Sequence, residues 1–172
     1  MTRTTVIGAF DHGIYGAVER VSDHLLAPAQ GKPRQVLWRI YAGKAILAAG
    51  ATERPVAFEN NDRPGIMLAG ALRAYANRWS VKAGERIAVF TNNDDGIRTA
   101  QDLQAKGCDV VAVIDSREGG ALLPGIRHLQ GAEVIDTSGK LGLKSVTVRQ
   151  ANGHSKTIAV DALGVSGGWN PN

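Results

Sequence analysis

Residues 86–115 read RIAVFTNNDDGIRTAQDLQAKGCDVVAVID. Arg86 to Thr91 is a β-branched, apolar run that predicts a buried strand. Asn92 to Gly96 reads as a turn. Ile97, Ala100 and Leu103 then form a helical stripe up to Gly107, which stands where a C-terminal cap belongs. Asp109 to Ile114 is a second apolar strand. Strand, turn, helix and strand in about thirty residues predict a βαβ unit with a right-handed crossover.

Upstream, Leu68, Leu72, Tyr75, Ala76 and Trp79 recur at helical spacing, so an amphipathic helix is expected over about 67–79. Ala51 to Gly65 reads as a connection that ends on the turn signal Pro64-Gly65. Lys44 to Ala49 (KAILAA) reads as a strand of a covered parallel sheet. Thr4 to Ala9 reads as a buried strand, followed by a turn over Asp11–Gly16 and strands at Ala17–Val21 and Gln35–Tyr41, a small antiparallel meander.

Downstream come Gly119-Gly120, a short helix expected around Leu122–Leu129, and a strand at Ala132–Asp136. Leu141–Gln150 and Lys156–Val160 read as a hairpin about Asn152-Gly153. Ala162–Val165 is a last short strand. The fold class is therefore expected to be α/β, a parallel sheet with helices on both faces plus the small antiparallel meander.

Composition agrees with a globular domain or a domain plus a fragment. The 172 residues are 44% hydrophobic and 21% charged, with 21 glycines, a high count that suits tight turns and close backbone approaches. The net charge of +4 comes from scattered basic residues with acids among them, and aromatics are only 5%. That argues against nucleic acid as a partner. Cys108 is the single cysteine, so no internal disulfide is possible and a reducing, cytoplasmic setting is expected. No apolar stretch approaches the roughly 20 residues of a membrane helix, and the first residues lack a signal-peptide core. A β-type segment almost at the first residue suggests that the initial Met was added at a cut point.

The βαβ unit is where a dinucleotide would be sought. The fingerprint G-x-G-x-x-G, with an acid about twenty residues on, places glycines where backbone must approach a pyrophosphate. Asp115 supplies the acid. The turn Thr91–Gly96 supplies one glycine only. A pyrophosphate would sit on the helix N-terminus, which Asp94 and Asp95 occupy. These carboxylates satisfy the helix dipole as a cap and would repel a phosphate by on the order of a few kcal/mol. The phosphate site is thus expected to be disabled. Asp115 is otherwise a solvated strand-end residue, and Arg117 nearby is of the type that meets a 2′-phosphate. The stretch Ala48–Pro55 ends a strand in small residues, either a close approach to a ligand or an ordinary glycine turn.

Nothing else reaches the level of a site. His12, His24, His128 and His154 are dispersed without metal-ligand spacing. Cys108 is expected to be a buried thiol. Trp38, Trp79 and Trp169 are expected to pack in the core. No catalytic and no metal-binding residue is expected on the chain.

Several stretches together carry a resemblance. KAILAAGATERP at 44–55 resembles the "ATG" strand of flavoproteins with two dinucleotide-binding domains. Residues 59–79 (ENNDRPGIMLAGALRAYANRW), 89–100 (VFTNNDDGIRTA), 165–172 (VSGGWNPN) and 4–12 (TTVIGAFDH) resemble the α subunits of heterotetrameric sarcosine oxidases. The NDRPGIMLA and VSGGWNP runs are specific, whereas the ATG-like strand is generic. Subunits of opine oxidases and of cyanide-forming glycine oxidases (hydrogen cyanide synthases) share much of the pattern.

The resemblance implies an FAD/NAD(P)-binding fold, with 1–65 the C-terminal part of a first dinucleotide-binding domain. It implies that 66–164 form an inserted second domain with a degenerate phosphate loop, and that 165–172 return to the first. It implies an α subunit several times longer than this chain that binds NAD, with FAD in a β subunit, FMN between the two, and γ and δ subunits as further partners. The implied reaction oxidises sarcosine to glycine with oxygen and passes formaldehyde equivalents to tetrahydrofolate. Carried over residue by residue, Val6 matches a position beside the NAD adenine, and Ala49, Gly50 and Ala51 match the motif whose backbone approaches the dinucleotide. Without a glycine-rich strand–helix unit around them, these four are expected to hold NAD weakly or not at all. Three functions stay open at this level. They are an inert piece of an oxidoreductase subunit, a module that packs against other subunits, and an independent NAD(P)H-binding domain using Asp115 or Arg117.

Overall fold

A computed structural model describes residues 2–27, 30–119 and 124–172. The chain divides into two compact units, Met1–Ala48 and Ala49–Asn172.

The first unit is the expected meander. β1 (Thr4–Phe10), β2 (Ile14–Arg20) and β3 (Gln35–Tyr41) pair antiparallel in the order β1-β2-β3. The tight β1–β2 connection needs Gly13, whose φ is +71° and whose added Cβ would stand 2.5 Å from the Ala42 carbonyl oxygen. Burial differs from expectation. Val6 and Ile7 are each 61% exposed, and among the described residues of this unit only Ala17 and Ser22 are buried. A single three-stranded sheet has no second layer of its own to cover these side chains.

Lys44–Ala49 is not a strand. Residues 44–50 are irregular, with Ile46 and Leu47 almost fully exposed. An apolar run becomes a parallel strand only where neighbours complete its ladder and cover both faces. No described strand does so here.

The second unit is an α/β layer structure. Its elements are β4 (Ala51–Glu53), β5 (Ile66–Leu68), α1 (Ala69–Trp79), β6 (Arg86–Thr91), α2 (Asp94–Ala105), β7 (Asp109–Asp115), β8 (His128–Gln130), β9 (Glu133–Ser138), β10 (Ser145–Arg149), β11 (Ser155–Ala159), β12 (Ala162–Ser166) and β13 (Trp169–Pro171). Five of them form a parallel sheet in the order β5-β12-β6-β7-β8. The pleat sends alternate residues of β6 to opposite layers. Ile87 and Val89 meet Leu72 and Ala76 of α1 and Ile97, Ala100 and Leu103 of α2. Ala88 and Phe90 meet Val134, Val146, Val148 and Ile158 of a three-stranded antiparallel sheet, β11-β10-β9.

The layer on the second face is therefore a β-sheet, where helices had been expected on both faces. The hairpin about Asn152-Gly153 supplies two of its strands. The helix expected around Leu122–Leu129 is not formed over its described part. Leu122 and Leu123 lie outside the described residues, while residues 124–126 turn and His128–Gln130 is strand β8. Pro124 followed by Gly125, with φ +76°, ends any helix there. Ala51–Gly65 is a connection except at β4, which pairs antiparallel with β13.

Candidate functional site

The chemistry-bearing side chains of the second unit gather at the C-terminal edge of the parallel sheet. This is the edge where open α/β sheets take ligands. The turn between β6 and α2 is built around Asn93. It is the N-cap of α2, with extended φ/ψ of −153° and 166°, and its Oδ1 accepts from the Asp95 and Gly96 backbone N–H groups at 3.0 and 3.2 Å. Asn93 Nδ2 donates to the Ser166 carbonyl and hydroxyl oxygens at 3.1 and 3.2 Å. The cap is thus Asn93, and Asp94 and Asp95 occupy the first helical turn instead of capping it. Gly96 lies tight against β6. An added Cβ would fall 2.2 Å from Thr91 Oγ1.

Asp115 ends β7, as the sequence indicated, but it is not solvated; it is fully buried. Arg117 holds it with two parallel bonds, Nε to Oδ1 at 3.0 Å and Nη2 to Oδ2 at 2.9 Å, and its backbone N–H adds a third to Oδ1. The remaining Arg117 nitrogen, Nη1, donates to Asp94 Oδ1 at 2.8 Å. Burial pushes the Asp115 carboxyl up, but the Arg117 bonds and charge and the nearby His128 outweigh it. The net value lies below the ordinary one. The same two carboxylates push the Arg117 guanidinium up.

His128 completes this corner. Its side chain is 2% exposed, its Nε2 is 3.7 Å from Asp115 Oδ2, and neither ring nitrogen has a hydrogen-bond partner. No local signal marks it, because its neighbour in space lies thirteen positions away across two parallel strands.

A second buried acid, Glu53, sits at the other helix. Its Oε2 accepts from the Gly70 N–H at the start of α1 at 2.8 Å, while Oε1 is buried without a partner. Burial raises its pKa, against the lowering effect of Gly70 and Ser166, and the Asp95 charge raises it further. Asp95 in turn accepts from Trp169 Nε1 at 3.0 Å and from Arg73, which also pairs with Asp102 at 2.6 Å. Trp169 is 45% exposed, and Trp38 and Trp79 are 39% and 59% exposed; none of the three is a core residue. Cys108 is buried, as expected.

Of the four residues expected near NAD, three are consecutive in the second unit and one belongs to the first. Val6 lies on β1 of the first unit. Ala49 and Gly50 lead into β4 and Ala51 begins it. The Ala49 carbonyl accepts from Asn172 Nδ2 at 3.2 Å and the Gly50 carbonyl from the Asn172 N–H at 3.2 Å. Gly50 has φ +76°, and nothing lies within 4 Å of where its Cβ would be. All three residues are exposed. Among the described residues no group of three or more His, Cys, Asp or Glu side chains could hold a metal ion. No described helix is long and apolar enough to cross a membrane.

No family model matches the chain. Sarcosine oxidase subunit alpha of Rhizobium meliloti (strain 1021) is 47% identical to it over 173 aligned positions, 99% of the chain. Over nearly its whole length this chain is similar to a sarcosine oxidase alpha subunit. It spans 17% of that subunit's length. Sarcosine oxidase subunit alpha is named as one chain of a multi-subunit enzyme.

The fold agrees. L-proline dehydrogenase from P. horikoshii superposes with a TM-score of 0.59 at 26% identity, over 98% of this chain and 28% of its own. An NAD-dependent persulfide reductase from A. fulgidus does so with a TM-score of 0.63 at 16% identity, over 100% and 32%. The fold is that of FAD/NAD(P)-binding oxidoreductases.

Proposed function

We propose that the chain works as a non-catalytic stretch of a sarcosine oxidase alpha subunit. In this reading 1–65 belong to a first dinucleotide-binding domain, 66–164 are an inserted second domain, and 165–172 return to the first. The parent complex, with β, γ and δ subunits, oxidises sarcosine to glycine with oxygen and delivers formaldehyde equivalents to tetrahydrofolate in the cytoplasm. NAD belongs to the alpha subunit, with FAD and FMN elsewhere in the complex. Val6, Ala49, Gly50 and Ala51 would line the NAD side. All four are exposed in this chain, which supports NAD being held there only with the rest of the domain.

The observation that carries the reading is 47% identity to a sarcosine oxidase alpha subunit along 99% of the chain. It is tested by oxygen uptake. The 172-residue chain with added FAD and sarcosine should consume none, whereas the full-length subunit assembled with its three partners should turn sarcosine over. Turnover by the chain alone would overturn it, as would a complex that oxidises an opine or glycine in place of sarcosine.

A second reading, in which residues 66–164 pack against other subunits, draws support from α1. Its aromatic pair Tyr75 and Trp79, with ring centroids 5.5 Å apart, is 42% and 59% exposed, apolar surface of the kind that marks an interaction site.

A further inference from the structure

We propose that the C-terminal end of α1 is a docking surface for another protein chain, one that presents a carboxylate side chain set among apolar ones. The inference deepens the reading in which 66–164 pack against other subunits, and rests on it. The helix reads AGALRAYANRW and carries no acid. Ala69, Leu72 and Ala76 are its buried stripe. Tyr75, Arg78 and Trp79 are exposed, and residues three and four apart share a helix face. The tilted contact between the Tyr75 and Trp79 rings makes them one apolar surface. The chain then turns at Ser80 in the left-handed region, and the Ser80 and Val81 N–H groups both donate to the Tyr75 carbonyl oxygen. This closure brings Val81, itself exposed, back to the last turn of α1 and adds an aliphatic edge to the rings. Tryptophan, tyrosine and arginine are the side chains that dominate binding at protein interfaces.

A cavity of about 150 Å³ adjoins these residues, lined by Ala76, Ser80, Val81, Lys82, Lys106 and Cys108. Ala76 and Cys108 are buried and give it an apolar floor. Its two charged lining residues are both lysines. Among the described residues, no hydrogen bond or ion pair holds either ammonium group or the Arg78 guanidinium. The acids on either side of Lys106 are taken by arginines, Asp102 by Arg73 and Asp109 by Arg86. A cation at a helix C-terminus favours the dipole, which accounts for Lys106 as the C-cap of α2. It does not account for Lys82, which lies beyond the last turn of α1.

Three unpaired cations around an apolar surface call for negative charge on the occupant. A cavity of this size and floor takes one side-chain carboxylate with its methylene stem, and the rings beside it take apolar neighbours. A nucleic-acid backbone fits less well. It needs cations in register with successive phosphates, whereas Glu85, Asp102 and Asp109 interrupt the basic residues here.

The test uses the full-length alpha subunit of the proposed parent, alone and assembled with its partners. Hydroxyl-radical oxidation of Trp79 and acetylation of Lys82 and Lys106, read by mass spectrometry, should each slow about fivefold or more on assembly. Lys82→Glu/Lys106→Glu should weaken assembly about tenfold or more, whereas Lys82→Arg/Lys106→Arg should stay within about threefold of native. Both lysines are exposed, so the charge-reversed 172-residue chain should keep the native urea midpoint. Should it unfold, Trp79→Ala carries the same test with an expected loss of about tenfold. Unchanged reactivity of Trp79 and the lysines in the assembled complex would overturn the proposal, and so would charge reversal without effect on assembly. Retention of the 172-residue chain on single-stranded RNA, abolished by the same reversal, would assign the surface to nucleic acid and overturn it too. A complex that protects Trp79 yet leaves sarcosine unoxidised would sink the parent reading alone. A subunit that assembles with nothing would sink both.

Discussion

Gly96 and Glu53 show how single residues fix the two helix starts. Replacing a helical glycine by alanine normally gains about 0.5–1 kcal/mol. At Gly96 the new methyl would fall 2.2 Å from Thr91 Oγ1 and 2.4 Å from its Cβ, and Thr91 is fully buried. Overpacking of this kind costs about 1–3 kcal/mol, so steric conflict wins and Gly96→Ala should destabilise. Urea unfolding reads the sign directly, and a stabilised variant would show that α2 is not held against β6. Glu53 gives a pH signature. Its folded pKa is raised above the ordinary 4.5, so the folded state holds the proton more firmly than the unfolded chain does. Its contribution is complete below 4.5 and is lost as pH rises through the folded value. Glu53→Gln keeps an acceptor for the Gly70 N–H and cannot ionise. The variant should therefore gain on the native chain between pH 4.5 and neutrality, seen as a widening difference in unfolding midpoints. A constant difference would mean that Glu53 is ionised throughout.

Helices and strands were legible wherever one face was buried by neighbours within the unit. The strands β6 and β7 were readable to within a residue because their apolar period matches their burial, whereas α2 begins at Asp94, inside the expected turn and three residues before the stripe at Ile97. The Asn152-Gly153 hairpin was readable because the turn needs φ > 0, which Gly153 supplies at +81°. Lys44–Ala49 was misread because an apolar run looks the same whether or not neighbours complete the sheet. The helix expected around Leu122–Leu129 failed on Pro124-Gly125, a local signal that outranks a weak stripe. The layer on the second face was unreadable as a layer, since its strands look alike on either side. α1 offers a check on capping. It ends on Ser80 in the left-handed region, φ 53° and ψ 35°, where a side chain costs about 1–2 kcal/mol relative to glycine. The entropy that glycine adds to the unfolded chain offsets part of this. Ser80→Gly should stabilise by about 0.5–1 kcal/mol, read as a raised urea midpoint; a fall would show that the Ser80 hydroxyl holds the cap.

The candidate site was half legible at the scale of the whole molecule. The missing glycines were visible in the sequence, but the bonds that fill the β6–α2 turn run to Ser166, 73 positions from Asn93, and to Arg117, 23 positions from Asp94. The same contrast between local pattern and distant partner governs the molecule's surface. Ile46 and Leu47 are 94% and 85% exposed, so they bury almost nothing and contribute almost nothing to the fold of this chain. Their cost falls on solubility, because exposed apolar runs favour self-association. Ile46→Lys together with Leu47→Glu should leave the unfolding midpoint within about 0.5 kcal/mol of native, as surface changes do. The same pair should lower the weight-average sedimentation coefficient at high concentration. In the full-length alpha subunit of the proposed parent, where this run would be covered, the pair should instead destabilise. A midpoint that drops in the 172-residue chain itself would show that Ile46 and Leu47 are already buried in solution, and the run would then be part of this chain's own core.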